Sequence, residues 1–351
     1  MNIIYKKINK ENFITRWKEY NNSNLSSYKY LYVYLEYMNF YTPNMISDES
    51  FVVIENNKCV GICFLPIEKE NKITSITLAG GFTIAPLFLN ERIEKIIFKE
   101  IDFIVDKFTI DKIQFSLDPL IVEYQNKYNW LLKYEYIDSS ASNCILDLNH
   151  NISKLWKELR KSYKSLINGI INSDEYEIVI ISKKNKNCDI HEEYRLLHKK
   201  AAGKETRPKV TFDKQYELLE NGNATIIGLK FNDKFIGLNY FLHHQKTVVY
   251  YSGADDPEYT KMNIPIYHSI LWKATNHFKE LGFEFIEYSQ PSSYSKVEGF
   301  NSYSDDKQIN IAHFKRGMGT KMVPLFRGIK YCNKELLIQD IKEFEKKVRE
   351  N

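Results

Sequence analysis

The residues with the clearest chemical potential lie near the C-terminal end, in HFKRGMGTKMVPLFRG, residues 313–328. This stretch holds His313, Lys315, Arg316, Lys321 and Arg327 and no acid. A lysine there can neutralise a phosphate or a developing oxyanion, and one charge-assisted hydrogen bond of that kind contributes about 1.5–3 kcal/mol. His313 is a candidate base beside it, since imidazole titrates near neutrality. Gly317 and Gly319 bracket Met318 in the manner of a phosphate loop. Such a loop opens a helix, whereas the following TKMVPLFRGIKY alternates like a strand and contains Pro324. We therefore read the stretch as a cleft-edge segment that closes the second half of the chain. Lys315 is its functional candidate, Phe314 packs in the core, and the glycines let the backbone turn or approach a ligand.

Other candidates are scattered. AAGKETRPK carries Lys204, Arg207 and Lys209 in a segment that Gly203 and Pro208 mark as a loop. Arginine suits bidentate contact with phosphate or carboxylate, so Arg207 leads this group. ISKLWKELRKSYKSLINGI reads as one helix, with an apolar stripe of Leu155, Leu159, Tyr163, Leu166 and Ile170. Its basic face, which includes Arg160 and Lys164, is either a solvated surface or an anion-attracting wall. His243 and His244 are neighbours on a strand and face opposite ways, which rules out a shared metal. In YKYLYVYLEYMNFY the tyrosines at 28, 30, 32 and 34 read as packing. Glu287 and Ser289 end a strand and border a cleft.

These residues need two domains to hold them. The chain has 351 residues, 43% hydrophobic and 27% charged, with a formal net charge of +4. That charge is too small for general nucleic-acid binding, so any anion site is a local cluster. The five cysteines at 59, 63, 144, 188 and 332 are odd in number and follow no export signal. Reduced thiols and a cytoplasmic location are expected. Cys59 and Cys63 sit in an apolar run and read as buried residues. No run reaches the roughly 18 apolar residues of a membrane span.

One pattern recurs. KCVGICFL (58–65) and KFIGLNYF (234–241) share lysine, Val or Ile, glycine and aromatic positions. Each follows an apolar run and an Asn-containing turn, which reads as a hairpin. A third strand, a helix and a further strand ending in proline follow both copies. The helices place Ile93, Ile97, Ile101 and Ile104 in one copy, and Ile266, Ile270, Ala274 and Phe278 in the other, at helical spacing. The chain reads as α/β with mixed sheets, in two similar units divided near Asn149–Ser153: 1–149 and 150–351. A final helix over 334–349 packs back on the body.

This order of elements resembles the GNAT acyltransferase fold. Two such units in tandem resemble the FemABX family and the BioF2-like acetyltransferase-domain proteins. The resemblance rests on LWKELRKSYKSLINGI, HKKAAGKETRPKVTFDKQYELL, FIGLNYFLHHQKTVVYYSGADDPEY and INIAHFKRGMGTKMVPLFRGIKY. It implies an amine attacking an acyl ester on tRNA or a thioester on coenzyme A, without an enzyme-bound intermediate. It places Lys315 at the reaction cleft, facing a phosphate or the oxyanion. It makes Ser252 and Gly253 the end of a splayed strand that offers a backbone N–H to the acyl oxygen, with Tyr250 or Tyr251 pointing into the cleft. Arg207 and Lys204 fall near the acceptor, and Arg160, Lys164, Arg316 and Ser289 border the same region. The glycine-rich coenzyme A loop of simple GNAT enzymes has no counterpart: before the second helix stands DDPEYTKMN, with three acids and no glycine.

The expected activity is transfer of an acyl or aminoacyl group to an amine of a nucleotide-linked cell-envelope precursor. The first unit would shape the acceptor groove. The donor is aminoacyl-tRNA or acyl-coenzyme A, with no metal and no tightly bound cofactor. The alternatives are an acetyl-coenzyme A-dependent N-acetyltransferase acting on a nucleotide amino sugar or surface glycan, and a non-catalytic nucleotide-ligand binding protein.

Overall fold

The computed structural model describes residues 1–121 and 128–350. They form two units of mixed sheets and helices. The first begins with β1 (Asn2–Tyr5), α1 (Lys10–Ser23) and α2 (Tyr32–Tyr41). β2 (Met45–Asp48), β3 (Phe51–Glu55), β4 (Lys58–Cys63), β5 (Pro66–Glu70) and β6 (Ile73–Ile76) follow. Then come β7 (Thr83–Ile84), β8 (Leu87–Phe88), α3 (Glu91–Phe108), β9 (Lys112–Ser116) and β10 (Ile137–Asp138). The β3–β4 hairpin turns through Asn56 and Asn57, both at positive φ, the geometry that suits the right-handed strand twist. The expected α3 stripe is the buried one, packed with Cys63, Val53 and Phe115. In this unit β4 pairs with β8, while β6 pairs with β5 and β9 in a separate sheet. The element read as a third strand beside the hairpin therefore lies elsewhere.

The second unit runs from β11 (Ala141–Asp147) through α4 (Ile152–Glu158), α5 (Lys161–Ile171) and β12 (Tyr176–Ile181). α6 (Cys188–Ala202), α7 (Lys209–Asn221), β13 (Ala224–Phe231), β14 (Lys234–His244) and β15 (Thr247–Asp255) come next. α8 (Pro257–Lys261), α9 (Ile266–Glu280) and β16 (Phe285–Glu287) complete this stretch. One seven-stranded sheet, β12-β13-β14-β15-β16-β11 with a later strand, β19 (Lys321–Leu325), at the far edge, organises it. The β13–β14 hairpin repeats the device of the first copy, with Asn232 and Asp233 at positive φ. One sheet face is sealed by α4, α5 and α9 through Leu155, Tyr163, Ile167, Ile270 and Phe278. α6 and α7 lie on the other face.

The predicted linker helix is two helices. The break falls at Arg160, whose extended backbone (ψ 137°) starts α5 and whose N–H donates to Gly317 O at 2.9 Å. A side chain at Gly317 would begin 2.4 Å from the Tyr163 ring, so only glycine admits this approach.

The chain then passes through a hairpin of the first unit, β17 (Val297–Gly299) and β18 (Ser302–Tyr303), and re-enters the second with α10 (Asp306–Gly317) and β19 (Lys321–Leu325). It ends in the first unit with β20 (Arg327–Tyr331) and α11 (Lys334–Glu350). This corrects the continuous division at residue 149. β20 pairs antiparallel with β9 on one side and β10 on the other, so a C-terminal strand is interior to the first unit's sheet. α11 is held by Tyr331 and Asn301 on Asp340 and by Phe344 packed on Phe300. The segment 313–328 thus closes the second unit only as far as Val323. The strand-like tail is observed, as two strands in different sheets.

A fragment of residues 1–149 lacks β20 and leaves β9 and β10 without their shared neighbour. We expect it to show no cooperative thermal transition by circular dichroism and rapid proteolysis, whereas the full chain unfolds cooperatively. A cooperative native-like fragment would contradict the strand assignment.

Candidate active site

The geometry of the second unit turns on β15 and β16. They pair in parallel over three positions only, Thr247↔Phe285, Val248↔Ile286 and Val249↔Glu287. β15 continues to Asp255, while β16 stops and Ser289 turns the chain at φ +55°. Against β14 the register slips: Phe241 opposes Tyr250 and Tyr240 opposes Ser252, so Tyr251 is an extra residue. A bulge of this kind bends its strand and sharpens the twist. The result is a wedge whose arms are Tyr250–Asp255 and the Ser289 turn.

On the β15 arm Ser252 Oγ shares a 2.6 Å hydrogen bond with the Tyr194 hydroxyl. Tyr194 comes from α6 and is fully buried. Arg207 Nη2 donates to Gln215 Oε1 at 2.5 Å and reaches the Tyr194 oxygen at 3.5 Å. Its guanidinium lies 4.0 Å from the Phe212 ring centroid. Burial raises the Tyr194 pKa, and the Arg207 charge opposes that shift. Beneath them Tyr240 and His191 share a 2.6 Å bond, and burial drives the His191 pKa to about 4, so this imidazole is neutral near pH 7. The fold thus joins Arg207 and Ser252 through Tyr194. Sequence reading missed this tyrosine, although Tyr194 lies three residues after His191 and three before Leu197 on the buried face of α6. Lys204 is exposed on the loop and stands apart from this group.

On the other arm Lys315 lies in the last turn of α10 and is 4% exposed, so it is neither a strand residue nor a surface one. Its Nζ donates to Ser289 O at 3.0 Å, and Ser292 Oγ donates to the same carbonyl at 2.7 Å. Burial lowers the Lys315 pKa to about 8, with Cys144 and Glu287 acting in the opposite direction. Arg316 donates to Ser293 O at 3.0 Å and stacks on Tyr294. His313 faces Arg160, with nitrogen separations of 2.8 and 3.3 Å, and Lys164 donates to Lys157 O. On the basic face read as either solvated surface or anion-attracting wall, Arg160 and Lys164 are engaged in local hydrogen bonds. Arg316, Lys315 and Lys164 each bind backbone carbonyls, and Arg160 is occupied by His313 and Tyr163. Of the adjacent histidines, His243 contacts Thr225, Phe278 and Phe283.

A cavity of about 720 Å³ opens beside the N-terminal turn of α9, lined by Leu166, Asp255, Tyr267, Lys307 and Phe314 among others. Phe314 is thus partly a wall residue. Asp255 accepts hydrogen bonds from Thr260 and Tyr267. The acidic stretch DDPEY forms β15's end and α8, with Asp256 capping that helix.

The Lys315 pKa has a stability consequence. The folded value near 8 lies below the ordinary 10.5, so the unfolded chain holds the proton more tightly. The wild type therefore gains stability from this group as pH rises from about 8 to 10.5. Against Lys315→Met, which lacks that gain, the wild type should become about 3 kcal/mol more stable between pH 7 and pH 10.5. Urea denaturation at pH 7, 9 and 10.5 measures it; a pH-independent difference would reject the assignment.

No protein-family model matches this sequence, and no curated protein matches it. Solved structures do. FemX superposes with a TM-score of 0.61 at 12% identity, covering 96% of this chain and 98% of FemX. The C-terminal DUF2156 domain of a candidate lysylphosphatidylglycerol synthetase from Agrobacterium fabrum gives 0.60 at 9% identity, covering 95% and 97%. L-PGS from Bacillus licheniformis gives 0.57 at 10% identity, covering 88% and 90%. At such identities the likeness speaks to architecture, and the chain has the FemABX-like tandem GNAT fold.

Proposed function

We propose that the protein is an acyltransferase that moves an acyl or aminoacyl group to an amine of a nucleotide-linked cell-envelope precursor. One observation supports this reading: β15 is bulged at Tyr251 and runs on to Asp255 beyond its pairing with β16, with Ser252 of that extension hydrogen-bonded to Tyr194. The fold shared with FemX and L-PGS supports it.

The acyl carbonyl would lie against the backbone N–H groups of the Tyr251–Gly253 segment. A preorganised donor of that kind contributes about 10²–10³ in rate. The attacking amine passes a proton toward Ser252 and Tyr194. Each hydroxyl accepts a proton as it gives up its own, so the pair relays the amine's proton toward the leaving group, and the Arg207 charge beside Tyr194 makes that hydroxyl a better proton donor than burial alone allows. As the tetrahedral intermediate collapses, the bond to the donor's ribose oxygen or thiol breaks, and the leaving group takes the proton. Lys315 holds the Ser289 turn and, when protonated, adds positive charge to that arm. The donor would enter through the cavity beside α9, whose lining carries Lys307 and Asp255. Acceptor selection falls to the first unit.

Lys315→Ala should fold and lose roughly 10- to 100-fold in turnover, the value of one charge-assisted bond. Tyr194→Phe should reduce kcat with little change in KM. The deciding measurement is thermal shift of the wild type with coenzyme A, UDP-linked muropeptide and nucleotide amino sugars, followed by transfer assays with the stabilising acceptor. Stabilisation by coenzyme A alone would replace the tRNA donor with a thioester. No stabilisation by any of them, with unchanged turnover in Tyr194→Phe, would end the acyltransferase reading.

A further inference from the structure

Asn239 occupies the middle of β14, between Ile227 and Gly253 on the neighbouring strands, and is fully buried. Neither its Oδ1 nor its Nδ2 has a hydrogen-bond partner among the described residues. Buried carboxamides are normally satisfied, and leaving both ends unpaired destabilises the free protein. Strand alternation puts this side chain on the α9 face, with Gly237 and Phe241.

Its surroundings are specific. A side chain at Gly253 would begin 2.6 Å from Asn239 Oδ1, 2.9 Å from Tyr267 Cε1 and 3.0 Å from the Tyr250 hydroxyl. Glycine at 253 therefore leaves the space beside the carboxamide free of a Cβ at the level of the bulge, while Tyr267 and Tyr250 border it and the carboxamide stays buried. Tyr267 borders both this spot and the 720 Å³ cavity, and its hydroxyl donates to Asp255, which also lines the cavity. The polar groups here are two tyrosines, a carboxamide and a carboxylate.

We infer that Asn239 is the residue that reads the acyl group of the donor, and that it selects an α-aminoacyl ester over an acetyl group. This rests on the acyltransferase reading above. An α-aminoacyl ester offers a carbonyl oxygen to Nδ2 and an α-ammonium to Oδ1, matching both unpaired ends. An acetyl group offers only the oxygen and leaves Oδ1 stranded. The Asp255 carboxylate adds a negative charge that favours the ammonium. Tyr267 is the side chain that moves to admit the group.

Asn239→Leu keeps the volume and removes both polar ends. The probes are a hydrolysis-resistant 3′-alanylamido-3′-deoxyadenosine, mimicking the acylated end of tRNA, and acetyl-coenzyme A. We expect Asn239→Leu to raise the ligand-free Tm by a few degrees and to weaken the alanyl probe at least tenfold by calorimetry. A lowered Tm would mark a structural asparagine, and unchanged affinity would show that it does not touch the acyl group; either overturns the inference. Wild type that binds acetyl-coenzyme A and not the alanyl probe overturns the aminoacyl assignment while the acyltransferase reading stands. Binding of neither probe removes both.

Discussion

The second unit depends on β15 and β16 pairing for three residues and then parting. Parallel neighbours normally share their hydrogen bonds along their length. Here the extra residue at Tyr251 bends one strand, and the Ser289 turn ends the other. Backbone polar groups that would otherwise be spent on a ladder are left facing a wedge. Tyr194 and Ser252 lie beside the strand that continues, Lys315 and Ser292 hold the Ser289 turn that ends the other, and Asn239 sits on the strand paired with the first.

A wedge in a sheet needs bracing, and the cations supply it. Lys315 is buried against a carbonyl, Arg316 crosses the same loop, and Arg160 links the start of α5 to Gly317 and His313. Arginine's planar fork spans several acceptors at once, which suits such clasps. Holding Lys315 inside lowers its affinity for a proton, so bracing and tunable charge come from one side chain. The cost is a weaker positive field at the surface than a tally of basic residues implies.

The first unit solves a different problem. Its own strands leave a gap between β9 and β10, and β20 fills it from the far end of the chain. That arrangement makes the unit dependent on residues about two hundred positions further along the chain. It also explains why the two copies of the repeat diverge. The second copy keeps hairpin, third strand and helix on one sheet, whereas the first splits them between two sheets and pairs β4 with β8.

Local and short-range features were legible in the sequence. Asn-Asn and Asn-Asp at hairpin tips, the isoleucine stripes of α3 and α9, Pro265 and Gly282 around α9, and the burial of Cys59 and Cys63 follow from backbone preference and hydrophobic period. Repetition of those features disclosed two similar α/β units, and the GNAT likeness came from the resemblance of their element order. Tertiary structure alone decided the rest, because the deciding contacts join residues far apart in the chain. Arg160 meets Gly317 and so splits a helix whose periodicity is continuous. Lys315 is legible as a functional candidate, but that α10 buries it beneath the Ser289 carbonyl is not. Ser252 acquires Tyr194, 58 positions earlier, and Asn239 acquires nothing. Which polar groups are paired and which are left open is set by packing across strands and helices, and periodicity along the chain carries no record of it.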